Sequence, residues 1–542
     1  MKASDLFVQC LEAGGVQYIF GLPGEENLAF LEAVRKSKIK FITTRDEQTA
    51  VFMAATVGRL TGKVGVALST LGPGATNLVT GVAYAQLGGM PLMVITGQKP
   101  IKKSKQGKFQ IIDVVGMMRP ITKMAETIVS AARIPTTVAQ AIRIAEAERP
   151  GAVHLEFPED IAEEQSDEAP VSWEKVRRPV PDDKSIDAAV AAIEKAKSPL
   201  IAIAAGANRK LIRKQLRNFI QKTGIPFVTT QMGKGVENES SPEYIGTTAL
   251  TAGDYVHRAT AAADLIILIG HDITEKPPVL ATDSQKIIHI NFYPSDIDVV
   301  YKPALEVVGD ISHALWAMSE RIVIQKKWNF ETFKKSKAQL AHDIADKSDS
   351  ANFPIKPQRF VRDLRAAIPR DGIISLDNGM YKLWISRNYP AYEQNTVLLD
   401  NALATMGAGL GAGMGAKIVD PSKKVVVVAG DGGFLMNLAD LETATRLKLD
   451  LVIVVLLDDG YGMIKWKQDS MGLSDFGLSF TNPDFVKLAE SFGAQGHLIT
   501  SAQEFQPMLE KAIASKGVHI IALPIDYSEN KKAFGAKGVD EE

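Results

Sequence analysis

The chain has 542 residues, with 62 Lys and Arg against 63 Asp and Glu, 46% hydrophobic and 23% charged. A single core stops growing near ~250–300 residues, so this length predicts about three domains, and the even charge balance leaves no field to attract nucleic acid or an anionic membrane. Cys10 is the only cysteine, which excludes an internal disulfide or a multi-thiolate metal site and suits a reducing, cytoplasmic interior.

The opening stretch MKASDLFVQCLEAGG has the polar–apolar alternation of an amphipathic helix, with Ser4 as its cap, and lacks the unbroken apolar segment of a signal peptide. From there to residue 165, short apolar runs alternate with helical stretches: VQYIFGLPG, IKFITT, VGVALST, PLMVIT and GAVHLEF. That rhythm predicts a parallel sheet covered by helices. Residues 161–185 are charged and carry prolines, the composition of a linker. A second block over 186–342 repeats the rhythm with SPLIAIAAGA, IPFVTT, ADLIILIG and KIIHINF. A third over 357–530 does so with GIISLD, TVLLD, KVVVVAG, LVIVVLL and VHIIALP. None of these runs approaches the ~20 residues that span a bilayer. The expected fold is α/β, with three doubly wound parallel-sheet domains over 1–165, 186–342 and 357–530.

Inside the third block, VVVVAGDGGFLMN sets Asp431 between glycines at the point where a buried strand must end. The following FLMNLADLETATRLK places Leu435, Leu438, Leu441 and Ala444 at three-residue steps, which predicts a helix leading to LVIVVLLDDG. A right-handed strand–helix–strand crossover then brings Asp431 and Asp458 to the carboxyl ends of strands on one sheet edge, where ligands bind. Two carboxylates repel unless a cation lies between them, and an oxygen-only pair suits Mg²⁺ or Ca²⁺. Gly430, Gly432 and Gly433 lack a Cβ, so a diphosphate can reach the backbone amides there. On this motif alone the plainer reading stands equally: Asp431 as a helix cap, and Asp458-Asp459-Gly460 as an ordinary turn. Gly407, Gly411 and Gly415 recur at four-residue spacing and line one helical face, which predicts close packing against a neighbour.

The Gly-Asp-Gly turn with its downstream acidic pair and glycine resembles the metal–diphosphate motif of thiamine diphosphate enzymes. The resemblance covers essentially the whole chain. FGLPGEEN, RDEQTAVFMAATVGRLTGK, LGPGATNLVTGVAYA, RPITK, NALATMGAGLGAGMGA, GDGGFLMNLADLETATRLKLDLVIVVLLDDGYGMI and DFVKLAESFGA stand in the order seen in acetolactate synthases, most like the FAD-independent catabolic type.

This resemblance implies pyrimidine-binding, central and diphosphate-binding domains in that order, with thiamine diphosphate and Mg²⁺ as cofactors. Asp431, Asp458 and the Gly460 carbonyl would hold the metal, and Gly430, Gly432 and Gly433 the diphosphate. Tyr461, Gly462 and Met463 would line the thiazolium, and Met406 would prop the bent cofactor. Glu47 would share a proton with the aminopyrimidine, beside Pro73 and Asn77, while Gln110 would stand near the reacting carbons as the second catalytic residue. In the family the counterparts of Glu47 and Asp431 meet across a subunit interface, which implies a homodimer or homotetramer.

The eight histidines are scattered and none lies in the first-block motifs, whereas simple decarboxylases of the superfamily use a His-His pair to release aldehyde. Carboligation is therefore expected: pyruvate loses CO₂ and its hydroxyethyl unit joins a second pyruvate as 2-acetolactate. A related lyase acting on another 2-keto acid or aldehyde is the alternative. Three departures from the family pattern bear on it: Glu25 for a small residue, Asp459 for asparagine and Lys382 for histidine. Lys465 and Lys467 would either balance a substrate carboxylate or lie on a solvated helix face, the second being favoured. The segment IGHDITEKPPV leans against bound FAD.

Overall fold

The computed structural model describes residues 1–102, 107–173, 178–208, 212–248, 250, 254–275, 285–297 and 301–534. By contacts the chain forms two compact units. One comprises Met1–Val176, Ala402–Ser422 and Leu435–Leu451; the other comprises Arg177–Asn401, Lys423–Phe434 and Val452–Glu542.

In the first unit six strands form one sheet: β1 (Tyr18–Gly21), β2 (Lys40–Thr43), β3 (Gly65–Ser69), β4 (Leu92–Gln98), β5 (Met124–Thr127) and β6 (Ala152–Pro158). Their order is β2-β1-β3-β4-β6-β5, and every pairing is parallel, as in Ile19↔Val66 and Met93↔Val153. β3, β4 and β6 are buried along their whole length, which is why most of their residues are apolar on both faces rather than alternating. Phe7, Phe30 and Phe157 meet in the core at ring separations of 4.9 to 6.2 Å. The N-terminal helix is Ala3–Ala13 with Lys2 at its cap position. Ser4 lies inside it and is buried, so it does not cap.

The helix Glu47–Thr61 is capped by Asp46, whose carboxylate accepts from the amides of Gln48 and Thr49, and it closes at Gly62 with φ 67°. Against it packs the helix Ala408–Val419. A Cβ on Gly411 would lie 2.8 Å from Phe52 Cβ, and one on Gly415 2.7 Å from the Met53 carbonyl oxygen. The glycine spacing thus has the close-packing neighbour expected of it, and that neighbour is the helix that begins with Glu47.

The second unit holds two further sheets. β7 (Pro199–Ile203), β8 (Phe227–Thr229), β9 (Tyr244–Thr247), β10 (Leu265–Ile269), β11 (Lys286–Asn291) and β12 (Leu305–Val308) run in the order β12-β11-β10-β7-β8-β9. One face is covered by Ile186, Phe219 and Leu315 and the other by Val256, Phe333 and Leu340. β13 (Ile373–Leu376), β14 (Val397–Leu398), β15 (Val425–Gly430), β16 (Leu451–Leu457), β17 (Gln495–Leu498) and β18 (Val518–Pro524) form the last sheet, in the order β14-β13-β15-β16-β18-β17. The fold is α/β with three parallel sheets, as the sequence rhythm predicts.

The continuous helix expected through residues 434–448 is instead three pieces: Asp431–Met436, a 3₁₀ turn at Leu438–Asp440, and Leu441–Arg446. Asn437 interrupts it at φ −120°, ψ 24°, and its side chain bonds Thr49 Oγ1 at 2.7 Å. A tertiary hydrogen bond here outweighs the local helical periodicity. Among the described residues no helix is long and apolar enough to cross a membrane.

Candidate active site

β15 delivers Asp431 and its neighbour β16 delivers Asp458 to one edge of the last sheet. Asp431 is 1% exposed, and four N–H groups hold its carboxylate. The Gly432 amide donates to Oδ1 at 2.8 Å; the amides of Asp458 and Asp459 and the Asn482 side chain donate to Oδ2 at 3.2, 2.9 and 2.8 Å. Only the first bond is local, so this carboxylate ties together two strand ends rather than capping its own helix. The turn after β16 is tight: Asp459 adopts φ 52°, a left-handed conformation that strains any residue with a Cβ. Burial pushes the Asp458 carboxyl up to about 7, the charges of Asp431 and Asp459 add to this, and Lys465 opposes it.

A cation between the carboxylates would relieve that repulsion, and the oxygen-only donors suit a hard divalent ion. Among the described residues no three His, Cys, Asp or Glu side chains form a metal cage. Carbonyls, water or ligand oxygens would therefore complete the coordination. At each glycine of this turn a neighbouring side chain stands close to where a Cβ would point. A Cβ on Gly432 would lie 3.0 Å from the Tyr461 ring and 3.1 Å from Phe480, one on Gly433 3.1 Å from Asp377, and one on Gly430 3.3 Å from Tyr381. A Cβ on Gly462 would collide with the Asp458 carboxylate. Tyr461 meets Phe480 edge to face at 5.2 Å, the Gly460 backbone bridges to Ser479, and Met463 lies half-buried in the first turn of the helix Gly462–Ser470. The paired carboxylates, with only oxygen donors beside them, fit a hard divalent ion that carries a diphosphate.

In the other unit, Glu47 is 7% exposed at the start of its helix. Asn77 Nδ2 donates to Glu47 Oε2 at 3.0 Å, and a Cβ on Gly74 would lie 3.1 Å from Oε1. Pro73 is the first residue of the short helix Pro73–Asn77, where its fixed φ is pre-organised. Gly72 before it has φ 53° and approaches Gln110 so closely that a Cβ would lie 2.8 Å from the Gln110 carbonyl. Gln110 is itself left-handed at φ 59° and exposed. Glu47, Pro73, Asn77 and Gln110 therefore share one neighbourhood. Half-buried Met406 precedes Gly407, which abuts Asn437; Asn437 in turn accepts from Gln48 Nε2 at 3.3 Å and bonds Thr49. This ties the Met406 loop to the first turn of the Glu47 helix.

Glu25 opens the 3₁₀ turn Glu25–Asn27 with its side chain 77% exposed and 3.9 Å from Lys99, whose buried ammonium bonds buried Glu26 at 2.7 Å. The Lys382 ammonium reaches Asn378 Oδ1, the Asp400 carbonyl and Asn401 Oδ1 at 2.6, 3.1 and 3.2 Å. Lys465 pairs with Asp475 on the exposed surface at 3.0 Å. Of the segment that bears on FAD, residues 276–279 lie outside the described residues. The sequence reasoning passes over Asn482, Asp377 and Tyr381, which the fold brings to the Asp431 turn. Asn482 in FTNPDF and Tyr381 in GMYKLW carry no spacing signal.

Residues 1–117, 186–318 and 377–523 match the N-terminal TPP binding, central and C-terminal TPP binding domains of thiamine pyrophosphate enzymes. The chain is 34% identical over 540 residues to an acetolactate synthase of Bacillus subtilis, covering 98% of this chain and 94% of that protein. It is 32% identical over 541 residues to a catabolic acetolactate synthase of Raoultella terrigena, covering 98% and 96%. A probable acetolactate synthase large subunit of Methanocaldococcus jannaschii is 33% identical over 554 residues, covering 98% and 93%. Similarity at this level across nearly the full length of each chain places the protein in the acetolactate synthase family of thiamine pyrophosphate enzymes.

Proposed function

We propose that this protein is a thiamine diphosphate- and Mg²⁺-dependent acetolactate synthase that decarboxylates pyruvate and joins the remaining two-carbon unit to a second pyruvate, giving 2-acetolactate and CO₂. The observation that best supports the chemistry is the Asp431 carboxylate anchored by amides from the end of the neighbouring strand, with Asp458 and a glycine cradle beside it. When bound, thiamine diphosphate supplies the electron sink that lets a 2-keto acid lose CO₂. Asp431, Asp458 and the Gly460 carbonyl hold Mg²⁺ and leave positions for diphosphate oxygens, which Gly430, Gly432 and Gly433 admit to the backbone. Tyr461, Gly462 and Met463 would line the thiazolium, and Met406 would prop the bent cofactor.

Glu47 accepts from Asn77 at Oε2, which leaves Oε1 to share a proton with the pyrimidine nitrogen. Pro73 fixes the adjoining loop, and Gln110 orients the acceptor carbonyl. No histidine occupies the segments that carry these residues, which favours joining the two-carbon unit to a second carbonyl over discharging it as aldehyde.

We assign the pyrimidine-binding, central and diphosphate-binding roles to residues 1–165, 186–342 and 357–530. The working form is a cytoplasmic homodimer or homotetramer without flavin, in which Glu47 of one chain completes the Asp431 turn of another, two-fold symmetry making equal sites. The test is turnover of pyruvate with Mg²⁺, with and without thiamine diphosphate. Acetolactate and CO₂ that depend on the cofactor are expected. Acetaldehyde as the main product, or turnover of a different 2-keto acid alone, would replace this reading with that of a related lyase.

A further inference from the structure

Tyr381 lies in the first turn of the helix Met380–Asn388, just beyond β13. A Cβ on Gly379 would come within 2.5 Å of its Cε1, and one on Gly430 within 3.3 Å of the same atom. Two glycines thus make room for this ring beside the Gly-Asp-Gly turn. The residue is 2% exposed, and its hydroxyl forms no hydrogen bond among the described residues. The Gly430 amide faces the phenol oxygen outside hydrogen-bond geometry. Even a bond from that amide would leave the hydroxyl proton without an acceptor, because an amide N–H only donates. Leaving a buried hydroxyl unmet is costly. The missing partner is therefore an acceptor, and its place is the edge formed by β13, β15 and β16.

Charge narrows the partner further. Burial, followed by the carboxylates of Asp377 and Asp458 and the Tyr527 hydroxyl, pushes the Tyr381 phenol well above its ordinary range, so the proton stays on the oxygen and is available to donate. A bare anion would be repelled by Asp431 and Asp458, whereas an anion that arrives with a divalent cation would not. We infer that the Tyr381 hydroxyl donates a hydrogen bond to a diphosphate oxygen of thiamine diphosphate, an inference that rests on the cofactor reading above. Tyr381 is then a cofactor-binding residue that acts on the phosphate end.

Calorimetric titration of the full-length protein in Mg²⁺ with thiamine diphosphate, and ³¹P NMR of the bound diphosphate, test this for wild type and Tyr381→Phe. The phenylalanine keeps the ring in place, and an unchanged melting temperature without cofactor verifies that the variant folds. The expected result is affinity for thiamine diphosphate about tenfold weaker in the variant, a smaller rise in melting temperature on cofactor addition, and a displaced ³¹P resonance. Equal affinity with an unmoved resonance overturns the inference and assigns the hydroxyl to a buried water. Failure of the wild type to take up any cofactor overturns the cofactor reading itself, and the role of Tyr381 with it.

Discussion

His154 sets how the first unit meets acid. It is fully buried on β6, with Nε2 bonded to Thr96 Oγ1 at 2.9 Å and Nδ1 unpaired among the described residues, and desolvation holds its pKa down at about 3. The unfolded chain, with an ordinary histidine near ~6.5, binds a proton that the folded chain refuses between these two values. Its stability is therefore intact above pH ~6.5 and declines by ~1.4 kcal/mol per pH unit as pH falls below that. Denaturant unfolding of wild type and His154→Leu at pH 7 and pH 5 should show the wild-type advantage shrinking by about 2 kcal/mol at the lower pH. A constant gap would mean that folded His154 takes up the proton. Residues differ in how well sequence exposes such environments. Asp431 is legible as a candidate because its carboxylate stands in a glycine turn at a fixed spacing from a second acidic pair, whereas Glu47 is singled out by the family resemblance alone. Asn482 and Tyr381 are not, because their place at the site depends on which strand ends the topology gathers, and one amide or phenol leaves no periodic trace.

The two helices Glu47–Thr61 and Ala408–Val419 form the element on which the Glu47 neighbourhood depends. A Cβ on Gly415 would lie 2.7 Å from the Met53 carbonyl and 3.1 Å from Met53 Cα. These are backbone atoms, so relief requires moving a helix rather than turning a side chain. Gly415→Val should cost about 1–3 kcal/mol through overpacking, read as a lower melting temperature, and should weaken activity because the partner helix begins at Glu47. Unchanged stability would mean that the interface is looser than the Gly415–Met53 approach indicates. At this scale the sequence reveals the interior strands and only two of the six outermost ones, β2 and β14. β5, β9, β12 and β17 were not anticipated, and each is an outermost strand. Three of them show mostly partial exposure along their length, so no continuous apolar run marks them. The break at Asn437 escapes for another reason: its partner Thr49 is distant in sequence, and periodicity carries only local information.

For the whole molecule, the proposal that Glu47 of one chain serves the Asp431 turn of another has a consequence that a self-contained chain lacks. Take one population with Glu47→Gln and a second with Asp431→Asn, each inactive alone. Mixed dimers then hold one site with both acids intact and one with both replaced. Random reassembly makes half of the dimers mixed, so activity should recover to about a quarter of wild type when two-fold interfaces create the sites. The measurement is acetolactate formation after the two variants are dissociated together and reassembled, with separately treated samples as the baseline. Recovery near that level requires the two carboxylates to act from different chains. Absence of recovery, with mixed dimers confirmed by mass, would place both acids of each site on one chain and remove the requirement for assembly.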